Sequence, residues 1–587
     1  MMTAKRLFDI PHNQLKTQPN ESMFVSKVNG EWKPTSTQQF IDQTIAVSKG
    51  LIALGVQPGE NVALVSNTRY EWNVMDIAIQ QIGAIVVPLY PNISEAEYNY
   101  IFNDAGIRLA VVANEELAGK INNIKPNLSK FELLFSMEEV AGVRNWNEIA
   151  EEGKSIEASA ITERGDKVQI TDLATIIYTS GTTGNPKGVM LSHSNILSNV
   201  EACIEPLPVS AGSKVLTFLP VCHVYERMLH YLYMHVGASI YFAESLETIG
   251  DNIREVQPEC FTAVPRLIEK VFDKIVAKGD ELTGIKRKLF FWAVSLGERY
   301  EPQGNGFFYN IQLGIANKII FSKWREALGG HVKAIASGSA ALQPRLNRIF
   351  CAAGIPILEG FGLTETSPVV SVNNFQAGIR IGTVGPLIEK VEVKIAEDGE
   401  ILVKGPNVMM GYYNKPTETA EVIDADGWFH TGDIGIFVDN KFLKITDRKK
   451  EIFKTSGGKY IAPQHMENKF KESRFIEQIM VIGENEKFPS AFIVPSFSFV
   501  KDWAAQHDLD LSNASNEEIA NHPKVKERIQ KEVLEINKVF GNWEQIKKTF
   551  LLPAEFSVEG GELTPTLKLK RKKILEKYTK QYQEIYA

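Results

Sequence analysis

Short apolar runs rich in β-branched and aromatic residues recur along the chain, separated by longer segments with apolar positions at helical spacing. "NVALVS" (61–66), "AIVVPLY" (84–90), "LAVVA" (109–113), "ATIIY" (174–178) and "KVLTFLP" (214–220) read as strands. "SIYFA" (239–243), "CFTAVP" (260–265), "VKAIAS" (332–337) and "IPILEG" (355–360) continue the series. Between them, "TQQFIDQTIAVSKGLIALG" and "YEWNVMDIAIQQIG" carry the helical period. A strand that is apolar at nearly every position has both faces covered. The alternation therefore predicts an α/β fold of parallel-rich sheets flanked by helices.

The texture changes twice. Residues 272–323 show no strand pattern and read as a helical insertion. From Gly382, "VEVKIAEDGEILVKG" and "IGIFVDNKFLKITD" read as hairpins with Asp-Gly and Asp-Asn turns, predicting a small β-barrel-like subdomain. After Asp447 a small α+β unit follows, with "MENKFKES" as helix and "IEQIMVIGE" and "SAFIVPS" as strands, then long polar helices. The expected division is a large N-terminal domain, 1–446, and a small C-terminal domain, 447–587.

Composition narrows the class. A length of 587 residues leaves room for several domain-sized units, and 44% apolar with 23% charged residues is ordinary for a globular enzyme. A net charge of -7 argues against nucleic acid as a partner, since such proteins carry a positive footprint. Cys203, Cys222, Cys260 and Cys351 are scattered and fit reduced thiols better than disulfides or a zinc site. The start, "MMTAKRLFDIPHNQ", lacks the apolar core of a secretory signal, and "MLHYLYMHVGASIYFA" (228–243) is too short to span a bilayer and reads as core. A cytoplasmic location is expected.

Five stretches carry candidate chemistry. "YTSGTTGNPKGVMLSH" (178–193) gathers glycines, hydroxyls and Lys187 between a strand and the capped helix "SHSNILSNV", which suits a phosphate ligand. Its order, G-T-T-G-N-P-K-G, departs from the nucleoside-triphosphatase loop, where the lysine precedes Ser or Thr at a helix start. "EGFGLTET" (359–366) sets an aromatic face between two glycines, then supplies Thr364 and Glu365 as hard oxygens suited to Mg²⁺, the alternative being a strand-to-loop turn with a solvated Glu. "WFHTGDIG" (428–435) offers Asp433 to a ribose diol, the alternative being a turn former. "DRKKEIFKTSGGKYIAP" (447–463) offers Arg448 to ribose or phosphate oxygens, against a solvated charged face. "GGELTPTLKLKRKK" (560–573) places Lys568 after a Gly-Gly turn and Thr-Pro-Thr, a shaped loop in place of a frayed tail.

Taken in this order, the five stretches resemble the adenylate-forming superfamily of acyl-CoA synthetases, luciferases and peptide-synthetase adenylation domains, over nearly the whole chain. The resemblance implies that Thr179, Ser180, Gly181, Thr182, Thr183, Gly184 and Lys187 form the phosphate loop for ATP. It implies Thr179 and Glu365 as Mg²⁺ contacts, Phe361 stacked on adenine, and Gly360 and Thr364 lining the nucleotide site with Gly338, Glu359, Gly362 and Ile445. Asp433 would hold the ribose hydroxyls, Arg448 would reinforce them, and Lys568 would be the catalytic lysine. Leu567 stands where many relatives have Gly, and Lys570 lies two residues on. "LPVCHVYER", "VPRLIEKVFDKI" and "ASGSAAL" are similar to the long-chain fatty acyl-CoA synthetases, which would set His223 near the acyl carboxylate.

The implied reaction has two steps. Fatty acid and ATP give acyl-adenylate and pyrophosphate, and coenzyme A then displaces AMP. A mobile C-terminal domain would turn about a hinge at Asp447 between them. Alternatives are a same-fold ligase for an aryl or short carboxylate or a carrier protein, and a non-catalytic nucleotide- or lipid-binding module. A long-chain substrate and the basic "KLKRKKILEKYTK" are compatible with peripheral membrane contact.

Overall fold

A computed structural model describes residues 4–179, 185–245, 247–564 and 568–587. The apolar runs form two eight-stranded sheets. One runs from edge to edge through Val369–Val372, Ile357–Gly362, Ala334–Ser337, Cys260–Ala263, Lys214–Thr217, Ser239–Phe242, Phe24–Val28 and Glu31–Thr35. Its inner pairings are parallel, and the strand at each edge is antiparallel. The other runs through Gly411–Tyr412, Lys187–Ser192, Leu173–Thr179, Ile85–Leu89, Asn61–Val65, Leu109–Val112, Leu133–Ser136 and Arg144–Asn145. Its first two pairings are antiparallel and the rest parallel. Asn61–Val65, Ile85–Leu89, Leu109–Val112 and Cys260–Ala263 are buried at every position, as continuous apolar strands require.

The segment around "MLHYLYMHV" is a helix, Val224–Val236, buried along most of its length. It reaches polar groups of both sheets. Arg227 donates to Thr175 (2.7 Å) on one sheet and pairs with Asp76 of the helix Tyr70–Gln80. Glu226 accepts from the hydroxyls of Thr217 and Thr262 on the other sheet. His230 sits between Asn73 (2.8 Å) and Thr217 (2.9 Å). Burial pushes Glu226 up to about 7 and His230 down to about 3, so both resist ionisation there. This helix starts at His223, and its polar side chains fix where that residue stands.

Two features differ from the sequence expectation. The phosphate-loop candidate is followed by a strand, Lys187–Ser192, paired antiparallel with the strand that ends at Thr179, before the helix His193–Cys203. The six-residue strand abuts the Ser192–Asn195 capping box and left no separate signal. Phe24–Val28 and Glu31–Thr35 form an N-terminal hairpin, with Asn29 and Gly30 both at positive φ in the turn.

The barrel-like subdomain is a four-stranded antiparallel sheet of Glu392–Ile395, Glu400–Lys404, Phe429–Val438 and Phe442–Arg448. The insertion is helical: Pro265–Asp280, Gly284–Glu298, Phe307–Ala316 and Ser322–Ala327, centred on Phe272, Phe290 and Trp324. In the C-terminal unit Ser490–Pro495 pairs with Ile476–Ile482 on one side and Lys548–Leu551 on the other, over a core of its own that includes Phe470, Ile493, Ile529 and Ile574. It meets the insertion through Arg474–Asp280 (3.0 Å) and Arg266–Glu477. Among the described residues no helix is long and apolar enough to cross a membrane.

Candidate active site

A cleft of about 1820 Å³ receives residues from both large sheets, the small sheet and the C-terminal unit. Thr179 ends one strand and Lys187 begins its antiparallel partner, directly opposite in register. Ser180, Gly181, Thr182, Thr183 and Gly184 lie outside the described residues. The Lys187 ammonium stands 4.9 Å from the centre of the Tyr412 ring, and the Tyr412 hydroxyl donates to Glu365 Oε1 (3.0 Å). Lys187, Tyr412 and Glu365 thereby form one linked wall. Tyr412 escaped sequence reasoning, because "GYYN" carries no charge or ligand pattern to mark it.

Glu365 sits on the short turn Thr364–Thr366, just past the strand Ile357–Gly362. Gly360, Phe361, Gly362, Thr364 and Glu365 all line the cleft, as does Gly338, beside the Tyr225 ring. At Gly362 a Cβ would fall 1.9 Å from the Pro368 carbonyl oxygen, so no side chain fits. Glu359 lies behind the cleft, accepting from Leu342 N (3.0 Å), and burial raises it to about 7. Thr179 and Glu365 present hard oxygens to the same cleft. No group of three His, Cys, Asp or Glu gathers among the described residues. This donor set fits Mg²⁺, which keeps several waters and takes one or two protein oxygens plus substrate phosphates.

Asp433 and Arg448 face each other in register across the small sheet, with Arg448 Nε donating to Asp433 Oδ1 (2.9 Å). Burial raises the Asp433 pKa and the guanidinium opposes that rise. Burial also works against the Arg448 charge, and Asp433, together with Glu451 and Glu365, more than offsets it. Ile445 lies on the same sheet opposite Gly435, half-buried and packed against the main core.

Lys568 comes from the far end of the chain into this cleft. Its loop is closed by Lys568 N donating to Thr564 Oγ1 (3.0 Å) and Thr564 N donating to Lys568 O (2.8 Å). The side chain keeps contact with solvent. Crowding by the cleft walls, then the Arg448 charge, lower its pKa, while Asp433, Glu365 and Glu451 pull it back up. Lys570 also lines the cleft, but its backbone is tied to Glu562 O (2.7 Å) at the start of the helix Arg571–Lys577.

His223 Nδ1 accepts from Tyr225 N (3.2 Å), capping the buried helix and placing the ring proton on Nε2. Burial, then the Lys568 ammonium, lower its pKa to about 4. His223 thus lies within the electrostatic reach of Lys568, although 345 positions separate them in the chain.

Residues 12–413 match the family model described as AMP-binding enzyme, and residues 450–587 match the AMP-binding enzyme C-terminal domain. The chain is 32% identical to the long-chain-fatty-acid–CoA ligase FadD15 of Mycobacterium bovis, covering 97% of this chain and 95% of the relative. It is also 32% identical to human long-chain-fatty-acid–CoA ligase 1, over 95% and 82% of the two chains. The adenylation domain of a carboxylate reductase from Mycobacterium chelonae superimposes with a TM-score of 0.76 at 21% identity, covering 99% of this chain and 91% of that one. A match over most of the length, together with near-complete coverage of relatives at this identity, shows that the chain belongs to the AMP-binding enzyme family.

Proposed function

We propose that the protein is a long-chain fatty acid–CoA ligase that forms an acyl-adenylate and then passes the acyl group to coenzyme A. The observation that carries this reading is the meeting of Lys568 with Arg448 and Glu365 in one cleft, with the buried Asp433 held behind Arg448. A carboxylate resists a thiol because its charge repels nucleophiles and oxide leaves poorly. In the first step a carboxylate oxygen attacks the α-phosphorus of ATP, the bond to the β-phosphate breaks, and pyrophosphate leaves. Both reactants are anions, so charge neutralisation and positioning dominate catalysis. Lys568 bridges the carboxylate and α-phosphate, and Lys187 with the glycine- and hydroxyl-rich stretch before it holds the outer phosphates. Phe361 stacks on adenine, with Gly338, Gly360, Gly362 and Thr364 around it, while Asp433 and Arg448 hold the ribose. Thr179 and Glu365 would hold Mg²⁺, which supplies charge neutralisation on the phosphates when bound.

In the second step the coenzyme A sulfur adds to the acyl carbonyl and AMP leaves. Lys568 must withdraw first. The separate C-terminal core, 447–587, turns on a hinge at Asp447 for this purpose, against the adenylation domain, 1–446. Asp447 is buried, one of its oxygens accepts from Arg448 N (2.6 Å), and burial raises its pKa to about 7. A hinge carboxylate that is easily neutralised can change surroundings at low cost.

The test is pyrophosphate exchange and AMP release across acetate, benzoate, octanoate and palmitate, with and without coenzyme A. AMP release strongest with palmitate, and dependent on coenzyme A, is expected. A preference for benzoate or acetate, or ADP as the product, overturns the reading.

His223 gives a second test. With a pKa near 4 it stays neutral from pH 5 to 8 and donates from Nε2 to the acyl carboxylate. The adenylation rate of His223→Gln should fall while its pH profile keeps the parent's shape across that range. Loss of an acidic limb in the variant would mean that His223 itself titrates there.

A further inference from the structure

The helical insertion presents an apolar flank that the reaction does not use. The helix Phe307–Ala316 buries Ala316 and leaves Phe307 73%, Phe308 79%, Ile311 49% and Ile315 50% exposed. Phe307, Ile311 and Ile315 recur every fourth residue, which stacks them in one stripe. Residues 306–317 contain no charged side chain. The neighbouring helix Gly284–Glu298 exposes Ile285 and Leu289 around the basic run Lys286, Arg287 and Lys288. Tyr309 donates to Leu296 O (2.7 Å), and Phe290 and Phe321 share the Trp324 ring, which sets the two helices side by side.

Charge on this flank opposes that of the whole chain. Residues 284–323 carry six Lys or Arg against two Glu, in a protein of net charge -7. The two acids are engaged, Glu298 with Arg345 (3.3 Å) and Glu301 with Arg348 (2.9 Å), and within the basic run Arg287 pairs with Asp280 (3.0 Å). Large aromatic and aliphatic side chains beside lysines and arginines, on a surface poor in free acids, match the boundary between lipid phosphates and acyl chains.

We propose that this helical pair docks the protein on an anionic lipid bilayer, with Phe307, Phe308, Ile311 and Ile315 entering the headgroup boundary and Lys286 and Lys288 against lipid phosphates. A second copy is a poorer occupant, because a two-fold contact would set the same basic run against itself. The basic C-terminal segment is engaged elsewhere: Arg571 pairs with Glu451 and Glu467, Lys577 with Glu562, and Lys572 and Lys573 line the active cleft. The proposal rests on the fatty-acid reading for its use, and on this surface for its evidence.

Flotation of the full chain with vesicles tests it, using phosphatidylcholine alone and phosphatidylcholine mixed with phosphatidylglycerol, without substrates. Binding to the mixed vesicles is expected, weakened by salt and at least about tenfold weaker on phosphatidylcholine alone. Phe307→Ser/Phe308→Ser and Lys286→Glu/Lys288→Glu should each lower it by at least about tenfold. Both should retain ligase activity on palmitate delivered from cyclodextrin. Absence of binding by the parent, unchanged binding by the variants, or indifference to lipid charge overturns the proposal. So does a dimer, seen by light scattering, that Phe307→Ser/Phe308→Ser dissolves without any vesicle binding. Vesicle binding without ligase activity would leave docking standing and remove the functional reading instead.

Discussion

Lys568→Ala is expected to slow acyl-adenylate formation by at least about 10²–10³-fold, the scale on which one preorganised charge-stabilising donor acts. Transfer from preformed acyl-adenylate to coenzyme A should remain largely intact. The asymmetry follows from where the ammonium stands. In this structure it shares the cleft with Glu365, Arg448 and His223, with the Asp433 charge held behind Arg448, where two anions would react. For thioester formation it has to be absent, so its loss removes nothing from that step. Lys570→Ala is the control, since its backbone anchors a helix start while Lys568 takes the charged position. The two half-reactions are read separately, by pyrophosphate exchange and by acyl-CoA release from synthetic acyl-adenylate. Equal loss in both would remove Lys568 from its role, and a larger effect at Lys570 would move the role two residues on.

Much of this site was legible because its parts are loops with rigid chemical requirements. Gly362 can carry no side chain beside Pro368, and a glycine there is visible in any reading of "EGFGLTET". Asp433 and Arg448 were found as separate loop residues. Their ion pair was not, because it depends on antiparallel register across a hairpin with a bulge near Ile434. Tyr412 was missed for a similar reason, since its partners Lys187 and Glu365 belong to another strand and to a turn distant in sequence. Glu359 and Phe361 stand two residues apart on one strand, yet Glu359 lies behind the cleft and Phe361 lines it. Motif spacing places both near the nucleotide, but only the strand's path past the Leu342 loop separates their surroundings.

The fold shows the same division. Continuous apolar strands announced the parallel sheets because burial on both faces is written into composition. The N-terminal hairpin had an Asn-Gly turn in plain view, but "EWKPT" is exposed or half-buried on an edge strand and lacks an apolar alternation. Residues 228–243, which include most of the helix Val224–Val236, read as core from their apolar side chains. That this helix also carries Glu226, Arg227 and His230 into that core was masked, since charged residues usually argue for a surface.

Arg227→Leu should therefore destabilise the N-terminal domain by about 3–5 kcal/mol, the cost of stranding one member of a buried ion pair. The guanidinium is fully enclosed, bonds Thr175 and Asp76, and lies 5.4 Å from the Trp72 ring. Burial works against its charge, and Asp76 and the Tyr231 hydroxyl more than restore it. Without Arg227, the Asp76 carboxylate keeps donors from Tyr231 and Gln80 but loses its counter-charge. Replacing both partners, as Asp76→Leu/Arg227→Leu, should cost less than Arg227→Leu alone, because no buried charge is then left unpaired. Urea unfolding followed by tryptophan fluorescence reads the difference, with Trp72 next to the altered site. Lys568→Ala, by contrast, should unfold at the parent's midpoint, since its side chain touches solvent and holds no core. Were Arg227→Leu to unfold with the parent, the buried pair would not be what anchors this helix, and the position of His223 would need another cause.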